Sequence, residues 1–177
     1  TVPSLPTMTR GALRVLNQNT RGFLLVVEGG AVDWANHGNN LGRMIEEQVD
    51  FNHTVQAVKD WVEKHGGWEE TLLIVTADHE CGYLWGPESG PPAAFQRPIN
   101  QGKGRLPGAN YFSNKHSNLL VPLLARKAGA ERFLAYAKQT DPKYGKYVDN
   151  TDVFRVMSGA LKQARTTQPA AQNTAKP

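Results

Sequence analysis

Two short apolar runs, 22–27 (Gly-Phe-Leu-Leu-Val-Val) and 71–76 (Thr-Leu-Leu-Ile-Val-Thr), flank one long helical pattern, and this arrangement restricts the fold most. A run that is apolar at successive positions suits a strand covered on both faces, as in a parallel sheet. Between the runs, Leu41, Met44, Ile45, Val49, Val55, Val58 and Val62 recur at helical spacing over residues 41–65. His65-Gly66-Gly67 ends the pattern well, because glycine accepts the left-handed conformation after a helix. Strand, helix and strand at this spacing form a βαβ unit, which implies a parallel sheet with helices on its faces.

Other elements are placed more locally. Residues 7–18 read as an amphipathic helix with Met8, Ala12, Val15 and Leu16 on one face, Pro3 and Pro6 marking its start and Thr7 as N-cap. Residues 86–118 contain ten Gly or Pro and little periodicity, so a long functional or mobile loop is expected there. Residues 119–125 read as a further strand. Residues 150–163 read as a helix opened by Asn150 or Thr151, with Val153, Val156, Met157, Ala160 and Leu161 on one face. The stretch from Ala164 to Pro177 is polar and aperiodic, and a disordered tail is expected. Residues 1–163 then form one domain, since 177 residues with 40% hydrophobic content suffice for one core.

Charge and cysteine content exclude little but useful ground. The formal net charge is +4, yet Lys and Arg are scattered, which favours a solvated basic surface over a nucleic-acid partner. Cys81 is the single cysteine, so no disulfide forms within the chain. No run of about 18 apolar residues predicts a membrane span. The start, Thr1-Val2-Pro3-Ser4, has neither an initiator Met nor a signal-peptide pattern, so a removed leader or a start within a longer protein is expected.

The chemistry gathers at the ends of the two runs. The first leads into Glu28-Gly29-Gly30, and the second through Ala77 into Asp78-His79-Glu80. Ligands of open α/β sheets bind outside the carboxyl ends of the strands. Carboxylates brought together there need a cation or hydrogen bonds. Asp33 and His37, four apart, share one face of a helical turn and can hold one zinc. The spacing alone is a weak signal. Asp78-His79 reads either as a metal-binding pair or as a helix-capping Asp beside a surface His. Glu80 adds a third ligand or an orienting group. His116 ends the Gly/Pro-rich segment as a ligand or a loop histidine. His53 and His65 are assigned to a helix surface and a helix C-terminus. Cys81 reads as a small buried side chain in preference to a zinc thiolate.

Taken together, these segments resemble the alkaline phosphatase family. Val27-Glu28-Gly29-Gly30-Ala31-Val32-Asp33-Trp34-Ala35-Asn36-His37 is similar to its VEGG-x-x-D-x-x-x-H motif. Leu73 to Glu80 is similar to its T-A-D-H-E strand end, and His116-Ser117-Asn118 to its late histidine. The resemblance covers about residues 3–161. It implies a three-layer αβα sandwich with a mostly parallel central sheet, its N-terminal half lying outside this chain. It also implies phosphate monoester hydrolysis with two zinc ions and one magnesium ion through a phospho-Ser or phospho-Thr intermediate. Carried over by position, Glu28 matches a magnesium ligand, Asp33, His37 and His116 the ligands of one zinc, and Asp78 and His79 two ligands of the other. Three protein ligands leave one position open, as a catalytic zinc requires.

The resemblance also implies what must come from elsewhere. No Asp-Ser pair occurs in the sequence, so the nucleophile, a bridging Asp and a phosphate-binding arginine are expected from an N-terminal part of the same protein. Without it the chain is expected to be inactive. A small phosphate monoester is the implied substrate, and export to the periplasm or outside the cell and dimerisation are further implications. Two alternatives stay open: a phosphodiesterase or sulfatase of the same superfamily, and a non-catalytic metal-binding module. Arg97, Lys103, Arg105 and Lys115 read as a solvated loop in preference to a phosphate-attracting cover.

Overall fold

A computed structural model describes residues 2–90 and 94–167, apart from the side chains of 163–167. The helices are α1 (Leu5–Leu16), α2 (Gly30–His37), α3 (Leu41–Lys64), α4 (Arg132–Tyr136) and α5 (Asn150–Thr167). The strands are β1 (Leu73–Thr76), β2 (Glu80–Cys81), β3 (Leu84–Trp85), β4 (Asn110–Tyr111), β5 (His116–Ser117), β6 (Leu123–Arg126), β7 (Gln139–Asp141) and β8 (Gly145–Tyr147). Among the described residues they pair as four two-stranded sheets, β1 with β6, β2 with β5, β3 with β4 and β7 with β8. The last three are antiparallel.

Two compact units divide the chain. One comprises Thr1–His65 and Val75–Leu123, the other Gly66–Ile74 and Leu124–Pro177. In the first, α1 and α2 both pack on α3. The periodicity of α3 is long enough to fix its register, and Asn40 caps it by accepting a hydrogen bond from the Arg43 N–H at 3.0 Å. After His65, Gly66 and Gly67 take positive φ values of 86° and 74°, as the sequence requires of a helix stop. His65 stacks on Trp61, their ring centroids 4.6 Å apart. His53 is exposed on α3, as expected.

The first helix begins earlier than its sequence pattern indicates. Ser4, not Thr7, is the N-cap residue, and Pro6 lies in the first turn, where a missing N–H costs nothing. The Leu5 N–H donates to Asp50 Oδ2 at 3.1 Å, which ties the start of α1 to α3. The buried face carries Pro6, Thr9 and Leu13, whereas Met8 and Val15 are exposed. The face is rotated because α3 is the only helix packed closely on α1 among the described residues.

The run 22–27 does not become a strand among the described residues. Phe23, Leu25 and Val27 are half-buried, with the Phe23 ring edge-on to Trp61 at 5.8 Å. Leu24 and Val26 are 55% and 79% exposed. One face therefore lies on α3 and the other lacks the cover that a doubly buried strand needs. Nor is the segment 86–118 structureless. β3 and β4 pair across it, with further bridges at Gly90–Ala94 and Ile99–Gly108. Its two-residue strands are too short to show a hydrophobic period.

The second unit is built around α4 against α5, with Phe133 and Val156 buried. Its first segment is held by the Arg126 guanidinium, 3.8 Å from the Trp68 ring centroid, and by a Lys127–Glu69 ion pair at 2.9 Å. Asp152 is buried in the first turn of α5 and accepts from Arg155 at 2.7 Å. α5 runs to Thr167, past the helix end expected at residue 163. The remainder of the expected tail, 168–177, lies outside the described residues.

The observed burial separates two valines that share the sequence pattern of α3. Val62 is fully buried, whereas Val49 is 45% exposed. In urea denaturation, Val62→Ala should lower the unfolding free energy by about 2 kcal/mol. Val49→Ala should lower it by less than about 0.5 kcal/mol. Equal losses would contradict this burial.

Candidate metal centre

The centre belongs to the first unit and is built from α2, β2 and β5. Asp33 and His37 lie one turn apart on α2, so both side chains leave the same face, with Asp33 Oδ2 and His37 Nε2 3.3 Å apart. His116 arrives from a different part of the chain through the pairing of β2 with β5, in which Cys81 opposes His116 and Glu80 opposes Ser117. Directly opposed residues of an antiparallel pair project from the same face. Cys81 and His116 are thus delivered together, while Glu80 and Ser117 turn the other way.

The resulting cluster is Asp33, His37, Cys81 and His116, whose ligand atoms all lie within 4.8 Å of one another. His116 Nε2 is 2.9 Å from His37 Nε2 and 3.4 Å from Asp33 Oδ1. Asp33 Oδ1 is buried and has no hydrogen-bond partner. A zinc held at about 2.0–2.1 Å by nitrogen and oxygen donors spaces them by roughly 3.3 Å in a tetrahedron. Each imidazole lies near that spacing from one Asp33 oxygen, His37 from Oδ2 and His116 from Oδ1, and the histidine pair need open by only a few tenths of an ångström. The donor set fits a divalent cation.

Neighbouring groups orient the donors. The Asn114 carbonyl accepts from His37 Nδ1 at 2.7 Å, which fixes the proton there and leaves Nε2 with its lone pair toward the cluster. Glu80 accepts from the Tyr83 N–H at 2.6 Å and from the Ser117 hydroxyl, so it braces the β2–β5 pairing rather than joining the cluster. Tyr111 donates to Asn36 Oδ1 at 2.8 Å and so links β4 to α2 between the two α2 ligands.

The other expected ligands lie outside the four-residue cluster. His79 stacks on His116 with ring centroids 3.5 Å apart, and its Nε2 lies 3.2 Å from Asp78 Oδ2. His79 Nδ1 is buried without a partner, whereas the Asp78 side chain is 82% exposed. Glu28 is exposed, ahead of the Gly29 N-cap of α2, and is not in the cluster. Cys81 is the member that sequence reasoning set aside. The signal that could have found it is the register of β2 against β5, which no local pattern encodes.

Comparison with known proteins gives the chain a family. The family model described as alkaline phosphatase matches residues 1–118. This chain belongs to the alkaline phosphatase family. The Escherichia coli (strain K12) alkaline phosphatase is 32% identical over 162 residues, covering 90% of this chain and 32% of the relative. That of Escherichia fergusonii is 32% identical over 163 residues, covering 91% of this chain and 32% of the relative. The chain thus spans about a third of the length of these curated relatives. The solved alkaline phosphatase from the Antarctic bacterium TAB5 superposes with a TM-score of 0.66 at 23% identity, covering 89% of this chain and 40% of that one. A mutant of the TAB5 enzyme with magnesium bound in its M3 site gives 0.65 at 23% identity, over 89% and 41%. The fold is therefore alkaline phosphatase-like.

Burial pushes the Cys81 thiol up to about 12, with the Asp33 carboxylate and then the Glu80 carboxylate adding to the effect. The neutral thiol dominates at all lower pH, and only the thiolate is nucleophilic. Alkylation of Cys81 in metal-free protein should be slow and should quicken roughly tenfold per pH unit from about pH 7 to about pH 10. A rate that levels off near pH 9 would contradict the raised value.

Proposed function

We propose that this chain carries the metal-binding part of a phosphate monoester hydrolase, an alkaline phosphatase using two zinc ions and one magnesium ion. The observation that carries the reading is the convergence of Asp33, His37 and His116 around a buried, unpartnered Asp33 oxygen. Such an oxygen costs free energy unless a cation or a donor meets it. In this reading Asp33, His37 and His116 hold one zinc. Asp78 and His79 supply two ligands of the second, and Glu28 supplies one to magnesium. Asp78 and Glu28, both exposed, are free to turn toward their ions.

The metals would polarise the phosphoryl oxygens and activate water at neutral pH. The chain's own residues position that chemistry. His37 is held in one tautomer by the Asn114 carbonyl, and His116 is held in register by β2. The Ser or Thr nucleophile that takes the phosphoryl group lies outside this chain, on an N-terminal part of the same protein. That part would also supply the bridging Asp and the remaining strands of a mostly parallel, three-layer αβα sandwich. The bare Leu24 and Val26 favour this, since a run apolar on both faces expects cover on both. A small phosphate monoester is the substrate. No nucleic-acid partner is expected, since Lys and Arg are scattered along the sequence with no run of like charge. No helix is long and apolar enough to cross a membrane among the described residues. A periplasmic or extracellular location and dimerisation complete the proposal.

Two measurements test it. Zinc at about 100 times its dissociation constant should stabilise the chain by about 2.7 kcal/mol in thermal or urea unfolding. A chelator should reverse the gain, and His116→Ala should remove most of it. An unchanged unfolding curve would sink the metal centre. In the protein that includes the nucleophile, p-nitrophenyl phosphate should turn over faster than a diester, and His37→Ala should lower kcat/KM by at least about tenfold. Preference for the diester would favour the phosphodiesterase alternative.

A further inference from the structure

Cys81 is the fourth member of the cluster, and nothing in the proposed reaction uses it. Its side chain is buried, at 8% exposure, with Sγ within 4.8 Å of the donor atoms of Asp33, His37 and His116. Its place follows from the ladder. Cys81 is the Cα partner of His116 in the antiparallel pair, so their side chains leave the same face. A packing role would not require a sulfur among three metal donors. Beside it, Asp33 Oδ1 is buried without a hydrogen bond, 3.4 Å from His116 Nε2, where a cation would meet it.

We infer that Cys81 is a thiolate ligand of the centre formed by Asp33, His37 and His116. The inference rests on the metal-centre reading above and adds a fourth donor to it. One carboxylate, one thiolate and two neutral imidazoles carry two negative charges, which balance a divalent cation. On binding, the Sγ–H bond breaks, the proton passes to solvent, and the sulfur lone pair forms the bond to the cation; a coordinating thiol is deprotonated in this way whatever its free acidity. Sulfur among nitrogen and oxygen donors selects a borderline-soft ion, zinc, cobalt or cadmium, over magnesium. Asp33, His37, Cys81 and His116 would together supply the four donors that a zinc ion commonly takes.

Cobalt titration into the full chain reads the sulfur directly. The expected result is visible d–d bands together with a near-ultraviolet thiolate-to-cobalt charge-transfer band, both saturating with the first equivalent. Cys81→Ser should keep the d–d bands, lose the charge-transfer band and bind cobalt at least about tenfold more weakly, since even groups that only orient a ligand typically cost that much. Cys81→Ala should behave alike, and the far-ultraviolet circular dichroism of both variants should match the parent. Visible d–d bands without a charge-transfer band in the parent would overturn the thiolate ligand and leave the three-ligand centre standing. Absence of both bands would overturn the centre and the inference with it. A charge-transfer band that survives both substitutions would also overturn it.

Discussion

Glu80 and Ser117 meet although they lie 37 residues apart, and the site exists only while that pairing holds. Closing a loop of this length costs roughly 3 kcal/mol. The strands that close it have two residues each, and a hydrogen bond contributes about 1 kcal/mol net. The pairing therefore depends on bonds beyond its own ladder. Gly82 donates to the Lys115 carbonyl and accepts from the Phe112 and Ser113 N–H groups. Glu80 adds bonds to Tyr83 and Ser117, and the Gly90–Ala94 and Ile99–Gly108 bridges shorten the free loop. A cation held by His116 on one side and by Asp33 and His37 on the other would close the longer loop from α2 to β5, which contains this pairing, so metal binding and folding are coupled here.

Backbone conformation at the turn after β2 serves that closure. Gly82 has φ +91°, and a Cβ there would lie 2.8 Å from Tyr111 Cδ1. Only glycine fits so close to the ring. Tyr83 follows at φ 46°, an uncommon conformation for a bulky residue. The approach of the Tyr111 ring carries its hydroxyl to Asn36, between the two α2 ligands. A strained turn, a close ring and one hydrogen bond thus fix the distance between the elements that supply the donors.

What the sequence shows and hides follows from the range of each interaction. α3 was legible because its period repeats over 24 residues and two glycines stop it. The Asp33–His37 pair was legible because helical spacing is local. The face of α1 was misread: apolar Met8 and Val15 mark surface that can be covered, whereas burial of Thr9 and Leu13 reflects what covers it here. The run 22–27 was misread as a paired strand for the same reason. The grouping of Cys81 with His116 was hidden because a two-residue ladder carries no period, and its register is set by contacts across the whole 86–118 segment.

The six expected ligands differ in how strongly the protein itself demands a cation beside them. The Asp78 side chain is 82% exposed and Glu28 is also exposed, so water satisfies both at little cost. Asp33 is different, because Oδ1 is buried without a hydrogen bond. Leaving a buried acceptor unmet costs about 1–3 kcal/mol, more when it is charged. His37 Nε2 and His116 Nε2 face each other at 2.9 Å, and with His37 protonated on Nδ1 one of them must donate or a cation must intervene. The unmet buried polar atoms among the six are Asp33 Oδ1 and His79 Nδ1, both beside His116. Asp78 and Glu28 sit where carboxylates remain hydrated until a second metal, and the groups that complete its shell, draw them in.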